Sequence, residues 1–372
     1  MNPPVRVAFC LAGLHRVNRG AEVAFESIAR ELARSGEYEV TLIGSGQPRD
    51  DDHYRFVHAS CLPREQFERW PSLPVFRGEA YYEEATFLPA FLRNFEPERH
   101  DVVVTCTYPF LNWAVRLRRL TKRRPVTVFV TQNGDWPLQR KNWEYLFFDC
   151  DALVCINPDY FDQHGTRWPT RLIPNGVDVD MFSLGPPERE KFGLPANGKV
   201  VLIVSALIES KRVLEGIEAV ALLPDVHLLI AGDGPLRSRV DELGRAKLGA
   251  RFHRAHVKRA DMPALYRSAD LLLHMSLDEP FGNVYVEAMA SGIPIVTHDR
   301  RITRWMLEPH ATFVDATDLP AVAAAIRQAL DQPFDPERAS LAAREKFAWS
   351  SIAAKYGAFF RELTAARNGN GG

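Results

Sequence analysis

Short β-branched runs alternate with longer stretches of helical spacing along this chain, and the alternation occurs twice. Val5 to Leu11 is strand-like, Ala21 to Ser35 has helical period, and Tyr38 to Ile43 is strand-like again. That rhythm predicts a parallel sheet covered by helices. Further apolar runs follow at Asp101 to Cys106, Val126 to Thr131 and Ala152 to Ile156, and the first series closes at Leu172 to Asn175. A turn-rich passage with Gly176, Gly185, Pro186, Pro187 and Pro195 reads as a linker. The alternation then restarts with Lys199 to Ser205, Val226 to Ala231, Ala250 to His253, Asp270 to Met275, Ile293 to His298 and Thr312 to Val314. Ser350 to Ala366 carries Ile352, Tyr356, Phe359, Phe360 and Leu363 at helical spacing, an amphipathic terminal helix. The segment from Arg49 to Glu96, richer in charge, proline and aromatics, reads as an irregular insertion of loops and short helices. The expected division is therefore 1–180, 181–349 and a terminal helix over 350–368.

The length of 372 residues agrees with two domains at roughly 150 residues each. Lys plus Arg number 46 against 47 Asp plus Glu, so no bulk positive field exists to hold nucleic acid without sequence preference. Cys10, Cys61, Cys106, Cys150 and Cys155 form no C-x-x-C pair and lie mostly in apolar runs, which suits reduced, buried thiols. No basic segment followed by a long apolar one opens the chain, and no run of about 18 apolar residues occurs. A cytoplasmic location is expected.

Open parallel sheets bind ligands at the carboxyl ends of their strands, so two such domains place a site in the cleft between them. Asp278 to Pro294 reads D-E-P-F-G-N-V-Y-V-E-A-M-A-S-G-I-P directly after a strand-like run. Pro280 disfavours helix at Glu279, whereas Asn283 to Ala290 are good helix formers. Glu279 is thus expected in a loop, with Gly282 at the turn and Asn283 opening a helix. Eight helical residues rise about 12 Å, so Glu287 and Glu279 touch different parts of one ligand. The amides of Asn283 and Val284, with the positive helix end, suit a phosphate between the two carboxylates. A sugar diphosphate nucleotide has that order of groups. Val204 to Val213, V-S-A-L-I-E-S-K-R-V, places Lys211 and Arg212 just after another strand.

The E-x7-E string from Glu279 to Glu287, in its E-P-F-G-N-V-Y-V-E-A-M-A-S-G-I-P context, resembles the donor motif of glycosyltransferase family 4. Asn18-Arg19-Gly20-Ala21-Glu22 resembles the family's glycine loop, Ile173 to Phe182 (I-P-N-G-V-D-V-D-M-F) its interdomain signature, and I-A-G-D-G-P at 230–235 and L-Y-R-S-A-D at 265–270 its second-domain signatures. The resemblance implies an α/β GT-B fold: two Rossmann-like domains facing across a cleft, with a C-terminal helix crossing back to the first. It implies a retaining enzyme that moves a hexose-type sugar from a nucleoside diphosphate sugar to a saccharide, lipid-linked or small-molecule acceptor. Front-face attack, with the departing phosphate taking the acceptor proton, requires no dedicated protein base. Glu279 would then hold the donor sugar, Glu287 the ribose, Lys211 the diphosphate, and Val257 with Lys258 the base. Gly20 would let the backbone approach phosphate or sugar. The family's usual arginine position holds Ala206, which leaves Arg212 as a candidate substitute. The loop that usually carries a histidine reads Gln132-Asn133-Gly134-Asp135-Trp136-Pro137, making Asn133 and Asp135 acceptor-side candidates, and the usual G-G-x-x-E loop reads Asp299-Arg300-Arg301-Ile302-Thr303-Arg304-Trp305.

No metal site and no cofactor beyond the donor are expected. The D-x-D strings at Asp149 to Asp151 and Asp178 to Asp180 fall at a strand start and in the interdomain signature, and His15, His164, His256, His274 and His298 lack ligand spacing. Gly232-Asp-Gly234-Pro-Leu-Arg237 lacks the third glycine of a dinucleotide fingerprint. Phe110 to Pro125 carries Trp113, Arg116, Arg118, Arg119, Lys122, Arg123 and Arg124, a basic helix suited to a solvated face or to peripheral contact with the inner face of an anionic membrane. Two other readings stay open at this stage: a sugar phosphorylase or nucleotide-sugar epimerase on the same plan, and a non-catalytic sugar or nucleotide binder.

Overall fold

The computed structural model describes residues 3–49, 53–117, 124–139, 141 and 143–369. They form two units, one running to Asn175 and resuming at Trp349, the other spanning Gly176–Ala348. The strands of the first unit are β1 (Val5–Cys10), β2 (Tyr38–Gly44), β3 (Arg55–His58), β4 (Val102–Thr105), β5 (Val126–Val130), β6 (Ala152–Cys155) and β7 (Thr170–Leu172), paired in parallel in the order β3-β2-β1-β4-β5-β6-β7. In register, Val7 lies between Val40 and Val102. A strand so placed is covered on both faces and is apolar throughout rather than alternating; Val7, Ala8, Phe9 and Cys10 are accordingly all buried. The order reverses between β1 and β4, so the connections leave this point in opposite directions and open a crevice at the carboxyl edge.

Helix α1 (Gly20–Arg34) follows the loop after β1, and the terminal helix α12 (Trp349–Gly369) packs along it. Phe360 meets Phe9 edge-on at 6.4 Å, and Phe9 meets Phe25 at 5.3 Å. Ile352, Tyr356, Phe359 and Phe360, the apolar stripe of the sequence, are buried there, each contributing about 1.5–3 kcal/mol of apolar burial.

The 49–96 segment departs from its expected irregularity. Besides β3, it forms α2 (Glu79–Asn94), with Pro89 inside the helix. An internal proline removes one helical hydrogen bond and crowds the preceding turn, so tertiary contacts must offset it. Phe87 and Phe91 are fully buried, and Phe91 stacks on Phe95 at 4.8 Å. Glu83 accepts from Arg16, from Arg19 at 3.4 Å, and from the Arg64 amide and Nη2 at 3.1 and 3.2 Å. Burial works against its charged form, but the arginines prevail and hold the carboxyl below its ordinary range. The neighbouring Glu84 is buried and pushed up to about 7, accepting from the Leu111 amide at 2.7 Å in the first turn of α3 (Phe110–Leu117).

The described part of the basic 110–125 segment is engaged in packing rather than presented as a face. Trp113 packs edge-on to Tyr108 at 5.7 Å, while Arg116 donates to the Phe147 carbonyl and pairs with Asp149 at 3.5 Å. Arg118, Arg119, Lys122 and Arg123 lie outside the described residues. Among the described residues no helix is long and apolar enough to cross a membrane.

In the second unit β8 (Lys199–Val204), β9 (Val226–Ala231), β10 (Phe252–Ala255), β11 (Leu271–His274), β12 (Ile295–His298) and β13 (Ala311–Val314) pair in parallel in the order β10-β9-β8-β11-β12-β13. The reversal here lies between β8 and β11. Asp270 closes the amino edge by accepting from the Val200 amide and from Arg189, both at 2.7 Å. At the other edge the G-D-G turn after β9 passes so close to the chain after β8 that a Cβ at Gly232 would lie 1.8 Å from the Ser205 carbonyl oxygen, with φ at +145°. Only glycine fits that approach.

Candidate active site

The carboxyl edge of the second sheet gathers the residues singled out from sequence. Strand β8 leads into a tight turn, Glu209–Lys211, and into Arg212, which has φ of +52° and precedes α5 (Val213–Ala221). Strand β11 ends in His274 and leads through Asp278 and Glu279 to Gly282, where α8 (Asn283–Ala290) begins. As expected, Pro280 keeps Glu279 out of the helix. Gly282 is required in the turn: its φ is +74°, and a Cβ would lie 2.7 Å from the Tyr285 ring and 2.9 Å from the Glu279 Cγ.

Here the chain brings Lys211 and Glu279 together, although 68 residues separate them. Lys211 Nζ pairs with Glu279 Oε2, and His274 Nε2 lies 3.1 Å from the same oxygen. Burial alone would raise the Glu279 carboxyl. The His274 hydrogen bond and the Lys211 charge outweigh it and bring the group down to about 2, so it is a fixed anion. Lys211 retains 22% side-chain exposure and Glu279 13%. The amino end of α8 lies at this edge, four residues after Glu279, and in its first turn the Tyr285 amide donates to the Gly282 carbonyl at 3.0 Å.

Glu287 sits about one turn into α8 and faces different surroundings. Tyr266, on α7 (Met262–Arg267), donates to its Oε2 at 2.7 Å. Burial pushes the Glu287 carboxyl up to about 7, with the Tyr266 bond and nearby Arg259 opposing it. The two carboxylates of one sequence string therefore differ: one is a permanent anion, the other titrates near neutrality. Val257 and Lys258 follow β10 on the same edge, Val257 half-buried and Lys258 exposed. Arg300, after β12, pairs with Asp278 at 2.6 Å.

Arg212 does not join this group. Its guanidinium reaches the Ala316 carbonyl at 3.3 Å and Glu215 at 3.1 Å, anchoring the start of α5 to the chain after β13. In the first unit, Gly20 opens α1 and is exposed, and Asn133 is exposed after β5 with its amide 3.4 Å from the Cys106 carbonyl. Asp135 is turned inward: His164 Nε2 lies 2.9 Å from one oxygen and Gln139 donates to the other at 2.8 Å. Only 6% of Asp135 is exposed. In each D-x-D string a carboxylate is held by local structure, while Asp180 is exposed. Asp178 accepts the Met181 amide at 3.0 Å, and Asp151 accepts from Arg124 and Thr127 at 2.8 Å.

Sequence reasoning missed His274 and Tyr266. The signals were present: a lone imidazole ending the run L-L-L-H, and a tyrosine inside L-Y-R-S-A-D.

The chain is similar to known proteins over most of its length. Residues 18–181 match the model for Glycosyltransferase Family 4, and residues 186–346 match that for glycosyl transferases group 1. The lipopolysaccharide core biosynthesis glycosyltransferase LpsE of Rhizobium meliloti (strain 1021) is 26% identical over 318 residues, 83% of this chain and 85% of LpsE. A phosphatidyl-myo-inositol mannosyltransferase of Mycobacterium tuberculosis (strain ATCC 25618 / H37Rv) is 34% identical over 198 residues, 49% of this chain and 51% of that protein. Among solved structures, sucrose-phosphate synthase from Thermosynechococcus elongatus superposes with a TM-score of 0.73 at 21% identity, covering 97% of this chain and 100% of that one. Anabaena HepE, in complex with UDP and glucose, superposes at 0.70 and 19% identity, covering 95% and 98%. The chain has the GT-B fold, and it belongs to glycosyltransferase family 4.

Proposed function

We propose that this glycosyltransferase moves a hexose-type sugar, with retention of anomeric configuration, from a nucleoside diphosphate sugar to a saccharide or lipid-linked acceptor. The observation that carries the reading is the meeting of Lys211, Glu279 and the amino end of α8 at one strand edge. Glu279, anionic at every working pH, takes the donor sugar's hydroxyls; Glu287 takes the ribose, and Val257 with Lys258 border the base. Cleavage breaks the bond from the anomeric carbon to the diphosphate oxygen and leaves negative charge on that phosphate. The Lys211 ammonium and the amides of Asn283 and Val284 stabilise this charge without a metal. The acceptor hydroxyl attacks from the same face, and its proton passes to the departing phosphate oxygen. Gly20 and Asn133 are the first-unit residues we assign to the ligand side. The names of the relatives, which run to lipopolysaccharide core and phosphatidylinositol, favour an acceptor among surface-glycan precursors.

The test is release of nucleoside diphosphate from UDP-, GDP-, ADP- and dTDP-sugars with a panel of saccharide acceptors, followed by proton NMR of the new anomeric centre. An axial donor giving an axial product supports retention; inversion refutes it. Release that requires inorganic phosphate would favour a phosphorylase, isomerisation without acceptor an epimerase, and donor binding with no release a binder.

Peripheral membrane contact remains part of this proposal, with a different surface from the α3 face. Trp143, Leu146 and Phe147 lie together on one short turn at 59%, 57% and 57% exposure. Arg116 donates to the Phe147 carbonyl, and the sequence continues from it into R-R-L-T-K-R-R at 118–124. Flotation with anionic vesicles, lost in Trp143→Ser with Phe147→Ser, supports it; equal flotation with neutral vesicles, or none, refutes it.

A further inference from the structure

His274 has no role in the donor site as assigned above, yet it is built into it. The strand before it is leucine, Leu271 to Leu273, and the imidazole is 3% exposed. A polar side chain buried at that point must find a partner. Its ring packs edge-on against Tyr285 at 4.9 Å, and the Tyr285 hydroxyl is fixed by Thr297 on the adjoining strand at 2.8 Å. A continuous stack thus runs from β12 through Tyr285 and His274 to Glu279.

The two partners of Glu279 Oε2 differ in kind. Lys211 stands on a turn, at the end of a flexible four-carbon stem, and is partly exposed. His274 ends a central strand and is locked by packing. A diphosphate carries more negative charge than one carboxylate, so a bound donor draws the ammonium toward itself. A carboxylate as buried as Glu279 then keeps its charge only if another donor stays in place.

We propose that His274 is the positioning residue of the donor-sugar site: its imidazole N–H retains and orients Glu279 while Lys211 exchanges that carboxylate for the donor's diphosphate. This rests on the donor-site reading above and goes beyond it by dividing the two partners into a fixed one and a moving one.

The experiment compares His274→Gln, whose amide reaches about as far as Nε2, with His274→Leu and with His274→Asn, which is polar but too short. UDP, GDP, ADP and dTDP are titrated beside UDP-glucose, GDP-mannose, ADP-glucose and dTDP-glucose, and the turnover of the accepted donor is measured. Losing one hydrogen bond to a charged group lowers kcat about tenfold or more in the leucine and asparagine variants, with bare nucleotide affinity within about threefold of wild type. The glutamine variant recovers to within about threefold of wild-type kcat. Asparagine covers the case in which the leucine variant fails to fold. Equal impairment of glutamine and asparagine variants shows a packing role and overturns the proposal, as does wild-type kcat in either asparagine or leucine. Failure of all four nucleotides to bind the wild-type protein is a different result: it removes the donor site itself, and this proposal with it.

Discussion

Donor binding should strengthen by about tenfold between pH 6 and pH 8, because of Glu287. Its carboxyl is buried on α8, with the Tyr266 hydroxyl at 2.7 Å, and burial lifts it to about 7. A ribose diol donates two hydrogen bonds and needs the ionised acceptor, so donor and proton compete for this group. With a pKa near 7, only about one molecule in eleven is ionised at pH 6, against about ten in eleven at pH 8, and affinity scales with that competent fraction. Calorimetry with the sugar nucleotide, whose diphosphate does not titrate in this range, isolates the protein's contribution. Repeating it at pH 7 in buffers of different ionisation enthalpy should show release of about half a proton. Glu287→Gln should bind more weakly but with no pH dependence. A flat wild-type profile, or tighter binding at pH 6, would refute the assignment of Glu287 to the ribose. The same shift has a stability consequence of definite sign. A carboxyl raised on folding favours the native state below its unfolded value of 4.5, and this contribution is lost as pH rises through 7. At pH 8, Glu287→Gln should therefore be more stable than wild type, by on the order of 1–3 kcal/mol.

Lys211→Ala should lower turnover by on the order of 100-fold or more, the usual effect of removing one preorganised charge from a leaving-group site; wild-type kcat would contradict its role. Gly282→Ala places a Cβ 2.7 Å from the Tyr285 ring at a φ of +74°, and urea unfolding should show a loss of about 1–3 kcal/mol. An unchanged midpoint with unchanged m would mean the turn is not held as described. Glu279, depressed to about 2 from 4.5, contributes stability that is complete above pH 4.5 and lost as the pH falls toward 2. Acid titration of Glu279→Gln should consequently show a shallower loss of stability over that window than wild type.

The fold was legible where one period dominated. Val7 to Cys10 are buried on both faces and read as a continuous apolar run, and the Ile352, Tyr356, Phe360 stripe emerged because a helix packed on one side repeats its apolar positions at helical spacing. Helix α2 was not legible, because Pro89 argues against a helix locally while Phe87, Phe91 and the Glu83 arginine cluster supply the offset from distant parts of the chain. The loop and helix that carry Glu279 and Glu287 were legible because proline, glycine and helix formers fix their local geometry. Their different ionisation was not, since it depends on His274, Lys211 and Tyr266, none of them among the residues from 279 to 287. The contacts of Asp135 and Arg212 were not legible either. Position after a strand suggested ligand contact, and the packing of His164, Gln139, Glu215 and Ala316 claims both side chains.

The most direct test of the account is calorimetric titration of the wild-type protein with UDP, GDP, ADP and dTDP in the presence of EDTA. Saturable binding of one nucleotide is expected without divalent ions, weakened about tenfold or more by Lys211→Ala. Binding of none of the four, or binding that appears only when a divalent ion is restored, would contradict a donor site built from Lys211, Glu279 and the amino end of α8.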